Sequence, residues 1–451
     1  MRLPLQLAAR ALGTGTVPDI DASGWSIDSR TLAAGDVFFA IRGDLHDGHT
    51  YVQDALGRGA AAAVVADTFE GRDTRLIKVE DTLTALQRLG TWARERWGGT
   101  VIGVTGSAGK TSTKDVVAAL IGSQMPVGRN VGNLNNHIGL PLSILRLPDE
   151  ARVAVLEMGM NHSGEIRHLC SIAKPEIGVV TNVGYAHVEN FEDGIEGIAS
   201  AKRELIDSLP EDGAAVLNFD DERVRSFASA HRGRTVYYGF SPGAEVRAED
   251  VLLREDGVQF RVGSTDFRCR LTGRHAISNV LAGIAAARVM EIDENHLREI
   301  VGSLEPAKMR GERIQRNGVH IINDCYNSNP EAVRSMLEVL RDTPAKRRIA
   351  VLGEMLELGR WAENLHRDAG KYAALCGTSV LVGIRGAAQA FILGAVDAGL
   401  PKDAAYFFDD PTAAGTWLRE VAHPGDAILF KGSRGTRVEK ALEAFLEGFP
   451  G

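Results

Sequence analysis

The chain has 451 residues, a formal net charge of -8, 44% hydrophobic residues and 24% charged ones. This length exceeds what one hydrophobic core supports and predicts about three domains at roughly 150 residues each, while the composition excludes a disordered chain. An acidic balance without a dense basic patch argues against a nucleic-acid partner or an anionic membrane surface.

The stretch MRLPLQLAARALG lacks the continuous apolar run and small-residue cleavage site of an export signal. Nothing downstream approaches about 18 uninterrupted apolar residues, so membrane insertion is not expected. Cys170, Cys269, Cys325 and Cys376 are widely spaced and form no C-x-x-C pair. They read as reduced, core-filling thiols in a cytoplasmic protein.

In chain order, DVFFAI (36–41) and AAAVVA (61–66), separated by Gly and Asp turns, predict a small α/β unit over residues 1–92. A second unit, 93–308, opens with the buried-type strand TVIGVTG, a loop, and a helix from about Lys110 to Ile121. Strands VAVLEM (153–158), IGVVTNV (177–183) and AAVLNF (214–219) follow, and their alternation with helices predicts a parallel sheet. VLLREDGVQFRV (251–262), with Asp-Gly between alternating apolar residues, predicts a β-hairpin appended to that sheet. A helix from about His275 to Met290 comes next. Beyond the polar MRGERIQRNG (309–318), five strand-like runs from HIINDCY to DAILFKGS, each followed by a helix-length segment, predict a second open α/β sheet of Rossmann type over 309–451.

The chemistry concentrates first in GVTGSAGKTSTK (103–114). A phosphate loop of the pattern G-x-x-x-x-G-K-[ST] would carry glycine where this chain has Val104. The second half of the motif suffices for the chemistry. Gly106 and Gly109 let the backbone curl round a phosphate through Ser107 and Ala108, and the following helix aims its amides and dipole at it through Lys110, Thr111 and Ser112. Lys110 is expected on the β- and γ-phosphates of a nucleotide and the Thr111 hydroxyl on Mg²⁺. Glu157 and His187, read at the C-terminal ends of the next two strands, lie where an open parallel sheet builds its site. Taken alone, they could also be a solvated carboxylate and a structural histidine. Lys202, in ASAKRELID, reads by itself as an ordinary solvated lysine.

The loop without its early glycine resembles that of the Mur ligases, ATP-dependent amide-forming enzymes of peptidoglycan precursor synthesis. NLNNHIGLPLSIL (133–145), LEMGMNHSGEI (156–166), TNVGYAHVENF with GIASAKREL (181–205), NDCYNSNPEAV (323–333), VLGEMLELG (351–359) and KGSRGTRVEK (431–440) extend the resemblance over nearly the whole chain. They are similar to the member that adds D-alanyl-D-alanine to UDP-MurNAc-tripeptide. SIDSRTLAAGDVFFAIRGDLHDGH (26–49) resembles the UDP-sugar-binding domain of that family.

This resemblance implies two Mg²⁺ ions held by Thr111, Glu157, His187 and a CO₂-derived carbamate on Lys202. It also implies an adenine contact at Asn279, with Arg310, Asp324 and Asn327 reaching ATP from the C-terminal domain. Ser29, Arg30, Asp47 and Gly48 correspond to the UDP-sugar pocket, and Asn133, Asn135, Asn136 and His137 to the stretch meeting the nucleotide and muramyl group. Ser433 and Arg434 would hold the carboxylate of the incoming dipeptide. A monomer is expected.

Three other readings remain at this stage. A sister ligase adding the third amino acid would normally carry Asn between the loop glycines and a D-N-P-R stretch, whereas this chain has Ser107-Ala108 and no D-N-P-R. A P-loop kinase would not need two further α/β domains. A non-catalytic nucleotide-dependent binding protein would be expected to have lost Lys110, Glu157 or Lys202.

Overall fold

TVIGVT is buried along nearly its whole length, as a strand covered on both faces must be, and it forms Thr100–Thr105 at the heart of the central sheet. The computed structural model describes residues 1–448 apart from 16, 44, 255 and 256. The seven central strands are all parallel, in the order Val246–Arg247, Arg234–Gly239, Ala214–Asn218, Ile177–Val180, Thr100–Thr105, Val153–Glu157 and Val127–Arg129. After Thr100–Thr105 the chain builds one side of the sheet and then crosses to the other. The crevice beyond Thr105 is therefore a topological switch point, where open α/β sheets bind ligands.

Helices cover both faces. On one, Lys110–Gly122 packs against Arg274–Val289 so closely that a Cβ on Gly283 would lie 2.7 Å from Val116 Cγ1. On the other, Gly139–Leu145, Glu165–Ala173 and Ile195–Asp207 share a core with the N-terminal sheet, joining Leu142, Leu169 and Leu205 to Trp25 and Phe39.

That N-terminal sheet has four parallel strands, Gly24–Ser26, Asp36–Phe39, Ala62–Ala66 and Leu76–Val79. The expected junction at 92/93 falls inside the helix Thr82–Trp97. The Asp81 carboxylate accepts from Thr84 N to start this helix, which runs through Gly90, packed against Pro141, and stops at left-handed Gly98.

The antiparallel pair Glu249–Arg254 and Gly257–Val262 is present, with Gly257 of the expected Asp-Gly turn opening the second strand, while Asp256 and the preceding Glu255 lie outside the described residues. The pair gains a third strand, Thr265–Cys269, and forms its own sheet instead of extending the central one.

The C-terminal sheet has the order Glu312–Arg316, Val319–Asp324, Asp426–Lys431, Arg347–Gly353, Val380–Ile384 and Ala405–Phe408. Its first strand lies within the polar stretch read as a connection. It is an antiparallel edge strand that alternates exposed and half-buried positions, so its apolar signal is weak.

Candidate functional site

Val104 is a fully buried strand residue paired with both Glu157 and Val179, so glycine there would serve no turn. The turn begins at Gly106, whose φ is 151°, and a Cβ there would lie 1.8 Å from Thr181 Oγ1. At Gly109, φ 80°, a Cβ would lie 2.9 Å from Asn279 Oδ1. The loop is braced from the neighbouring strand's extension. Ser107 N donates to Asn182 O at 3.0 Å, Ala108 N to Asn182 Oδ1 at 2.8 Å, and Thr181 Oγ1 to Ala108 O at 2.7 Å. Lys110 folds back to donate from Nζ to Gly106 O at 2.8 Å. Lys110 is half-buried, and burial lowers its pKa, opposed by Glu157 and reinforced by Arg310.

Glu157, 3% exposed, ends its strand beside this loop. Its Oε2 accepts from Thr111 Oγ1 at 2.7 Å and its Oε1 from Asn135 Nδ2 at 2.7 Å. The backbone behind it is clamped by buried Asn130, whose Oδ1 accepts from Glu157 N at 2.9 Å and whose Nδ2 donates to Glu157 O at 3.1 Å. Lys114 Nζ in turn donates to Asn130 O at 2.9 Å. The result is a fixed group of hard oxygen donors at the start of a helix, the donor chemistry that a phosphate-bound divalent ion takes.

The C-terminal lobe meets this floor directly. Arg310 stacks over the Tyr326 ring with Cζ 4.0 Å from its centroid, and donates to Thr111 Oγ1 at 3.3 Å. Asn329 Nδ2 donates to Ser107 O at 3.2 Å. Parallel register sets Asp324 opposite Lys431, and Lys431 Nζ lies 2.5 Å from Asp324 Oδ2 and donates to Asn327 O at 2.8 Å. Ser433 Oγ accepts from Leu356 N at 3.0 Å, whereas Arg434 is largely exposed and pairs with Glu439 at 3.4 Å.

His187 does not end a strand. Ile177–Val180 stops earlier because Thr181 and Asn182 turn to brace the loop, and His187 caps the short turn Val188–Asn190 in left-handed backbone, φ 64°. Its Nδ1 lies 2.5 Å from Glu357 Oε2, a close contact whose angles fall outside those of a hydrogen bond. The imidazole beside Glu357 holds that carboxyl below its ordinary value. Lys202 is not a surface lysine. It is 2% exposed on the inner face of Ile195–Asp207, and burial drives its pKa well below the usual lysine range, with Lys110 adding to the shift and Glu331 opposing it.

A cavity of about 1300 Å³ brings together residues 107–112, Asn133, Asn135, Asn136, His137, Glu157, His187, Asn279, Arg310, Asp324, Asn327, Ser433 and Arg434. Asn279 Oδ1 accepts from Thr113 Oγ1 at 3.0 Å, and Asn136 Oδ1 accepts from Gly139 N at 2.8 Å. Ser29, Arg30, Asp47 and Gly48 are not on the cavity wall; they lie in the N-terminal unit. There Arg30 is gripped by Asp28 at 2.7 Å, and Asp47 accepts from His49 N at 3.0 Å and Arg42 Nε at 3.0 Å. Among the described residues, no three His, Cys, Asp or Glu side chains converge as a metal cage.

Asn130, Asn182, Glu331, Glu357 and Lys431 were not singled out individually from the sequence. Asn182, Glu331, Glu357 and Lys431 fall in stretches that carry the family resemblance, but their partners come from distant segments.

Family models match three parts of the chain: the Mur ligase family catalytic domain over residues 21–91, the Mur ligase middle domain over 104–287, and the Mur ligase glutamate ligase domain over 309–434. The UDP-N-acetylmuramoyl-tripeptide--D-alanyl-D-alanine ligase of Bacillus subtilis (strain 168) is 34% identical over 431 residues, covering 94% of this chain and 93% of the relative. MurF from Acinetobacter baumannii superposes with a TM-score of 0.90 at 28% identity, covering 99% of both chains. The Thermotoga maritima MurF ligase in complex with ADP gives 0.83 at 30% identity, covering 95% of this chain and 98% of that one.

Proposed function

Because the chain belongs to the Mur ligase family, we infer that it is the ATP-dependent ligase joining D-alanyl-D-alanine to UDP-MurNAc-tripeptide, which yields UDP-MurNAc-pentapeptide for peptidoglycan synthesis. Direct condensation of a carboxylate with an amine in water is uphill. The terminal carboxylate of the tripeptide therefore takes the γ-phosphoryl group of ATP, leaving ADP, and the dipeptide amine then displaces phosphate from the acyl phosphate to form the amide. Both steps develop negative charge, so fixed cations and donors carry the catalysis.

The observation that supports this reading best is that Lys110, Thr111 and Glu157 share one cavity with Arg310 and Asp324 from another lobe. Lys110 exchanges Gly106 O for phosphate oxygens, and Arg310, already 3.3 Å from Thr111 Oγ1, neutralises charge from the opposite side. Asn279, Asp324 and Asn327 orient the nucleoside, and Ser433 with Arg434 receives the dipeptide carboxylate. Asn133, Asn135, Asn136 and His137 meet the muramyl end, while Ser29, Arg30, Asp47 and Gly48 take the UDP end.

Thr111, Glu157, His187 and a carbamate on Lys202 would hold two Mg²⁺ ions, which supply the positive charge that lets carboxylate and triphosphate approach. The Lys202 environment favours that modification, because a buried amine held neutral is the form that adds CO₂. A bond forms from nitrogen to carbon, one proton leaves to solvent, and an anion replaces the neutral amine. Three units would carry these roles: 1–92 for the sugar nucleotide, 93–308 for ATP and 309–451 for closure. The protein would act as a monomer, and the nucleotide substrates suit the cytoplasm.

The test is phosphate release from ATP with UDP-MurNAc-tripeptide, comparing D-alanyl-D-alanine with single amino acids as the amine. Release only with a single diamino acid and UDP-MurNAc-dipeptide would overturn the reading in favour of the sister ligase.

A further inference from the structure

We propose that Glu357 is the positioning residue for His187, so that the C-terminal lobe sets the ring orientation of a metal ligand carried by the central lobe. The proposal rests on the reading of His187 as a ligand. Glu357 Oε2 stands 2.5 Å from His187 Nδ1. A carboxylate this close to Nδ1 favours, by its charge, a proton on that nitrogen and leaves the Nε2 lone pair for a cation, the role that second partners play for metal-binding imidazoles.

Backbone on both sides is built for this contact. His187 and Glu357 both occupy the left-handed region, with φ 64° and 63°. Such residues without glycine's freedom persist where their surroundings over-determine them, and they cluster at functional sites. Here the surroundings are each other's loops. Glu189 N donates to Glu357 O at 3.3 Å, Arg360 Nη2 donates to Glu192 O at 2.9 Å, and a Cβ on Gly359 would lie 2.7 Å from Glu189 Cβ.

The loop bearing Glu357 is also fastened from behind. Met355 N donates to Nε2 of buried His366 at 2.9 Å, and the other ring nitrogen meets Ala362 O at 2.6 Å. Glu331, also from the C-terminal lobe, accepts from Tyr185 N at 3.1 Å on the same histidine loop. Closure of the lobes therefore delivers a carboxylate to the ring, and opening withdraws it, coupling ion affinity to lobe position.

Mn²⁺ binding to the full chain with a non-hydrolysable ATP analogue, followed by electron paramagnetic resonance, tests this alongside steady-state kinetics. Glu357→Ala is expected to weaken Mn²⁺ by about 10- to 100-fold and lower kcat comparably, while KM for the UDP substrate stays within about twofold. Glu357→Gln, which keeps the side chain's shape beside Nδ1 but not its charge, should fall between the parent and Glu357→Ala. Arg360→Ala loosens the same loop contact without removing the carboxylate and should weaken Mn²⁺ much less than Glu357→Ala does. The proposal is overturned if Glu357→Ala binds Mn²⁺ like the parent while His187→Ala does not, or if Arg360→Ala loses as much as Glu357→Ala. Unchanged affinity in His187→Ala would instead remove the ligand reading, and this inference with it.

Discussion

Thr111 Oγ1 donates to Glu157 Oε2 at 2.7 Å, tying the first turn of the phosphate-loop helix to the end of the adjacent strand. The two residues are far apart in sequence, and parallel pairing of Val104 with Glu157 brings them together. The same pairing puts the carboxylate within electrostatic reach of Lys110, whose amine would otherwise be still more destabilised by burial.

Replacing Lys110 with Ala is predicted to lower turnover by at least about 10²-fold and to weaken ATP binding, since the lost cation faces only the phosphates. Binding of the UDP substrate, measured by calorimetry, should be nearly intact. ATP turnover at the parent rate would exclude Lys110 from the site.

Asp324 and Arg30 should separate the two nucleotide substrates. Asp324→Asn is expected to raise the KM for ATP by about tenfold or more, and Arg30→Ala to do the same for the UDP substrate. Initial-rate kinetics varying each substrate in turn will decide, and the reverse pattern would refute the assignment of the two lobes.

Lys202→Ala should collapse activity, and formate or acetate should partly restore it by supplying an oxygen ligand in the vacated space. The same acids should do nothing for Lys110→Ala, which lacks a cation. Near-normal turnover of the Lys202 variant in degassed, bicarbonate-free buffer would sink the carbamate reading.

Asn130 binds no substrate in this reading, yet its side chain clamps both backbone groups of Glu157 and also donates to Leu134 O at 2.9 Å. Asn130→Ala leaves these buried groups unsatisfied and should cost roughly 1–3 kcal/mol of stability with a drop in kcat. Chemical denaturation and kinetics on the same preparation test it; an unchanged midpoint would show that the clamp is dispensable.

Asp47 gives a pH dependence with a definite sign. Hydrogen bonding from His49 N, then the His49 ring and Arg42, lowers its pKa from 3.8 to about 2. A depressed carboxyl stabilises the fold fully above its unfolded pKa, and the contribution is lost as pH falls through the folded value. The melting-temperature gap between the parent and Asp47→Asn should therefore be constant above about pH 5 and close toward pH 2. A gap that widened on acidification would contradict the assignment.

The sequence by itself determined the loop, four of the seven central strands, five of the six C-terminal ones, and the candidacy of most residues on the cavity wall. These signals are local. A glycine that must adopt positive φ, a lysine one residue after it, and a buried strand before it occupy a few consecutive positions. Local signal failed where an element is an edge strand with little apolar content, as at Glu312–Arg316. Only the tertiary structure decided that Lys202 is buried, that His187 stands in a left-handed turn, and that Glu357, Asn130 and Asn182 hold the site in place. A side chain's burial and hydrogen-bond partner depend on which distant segments the sheet register and lobe contacts bring alongside it. No spacing along the chain encodes that juxtaposition.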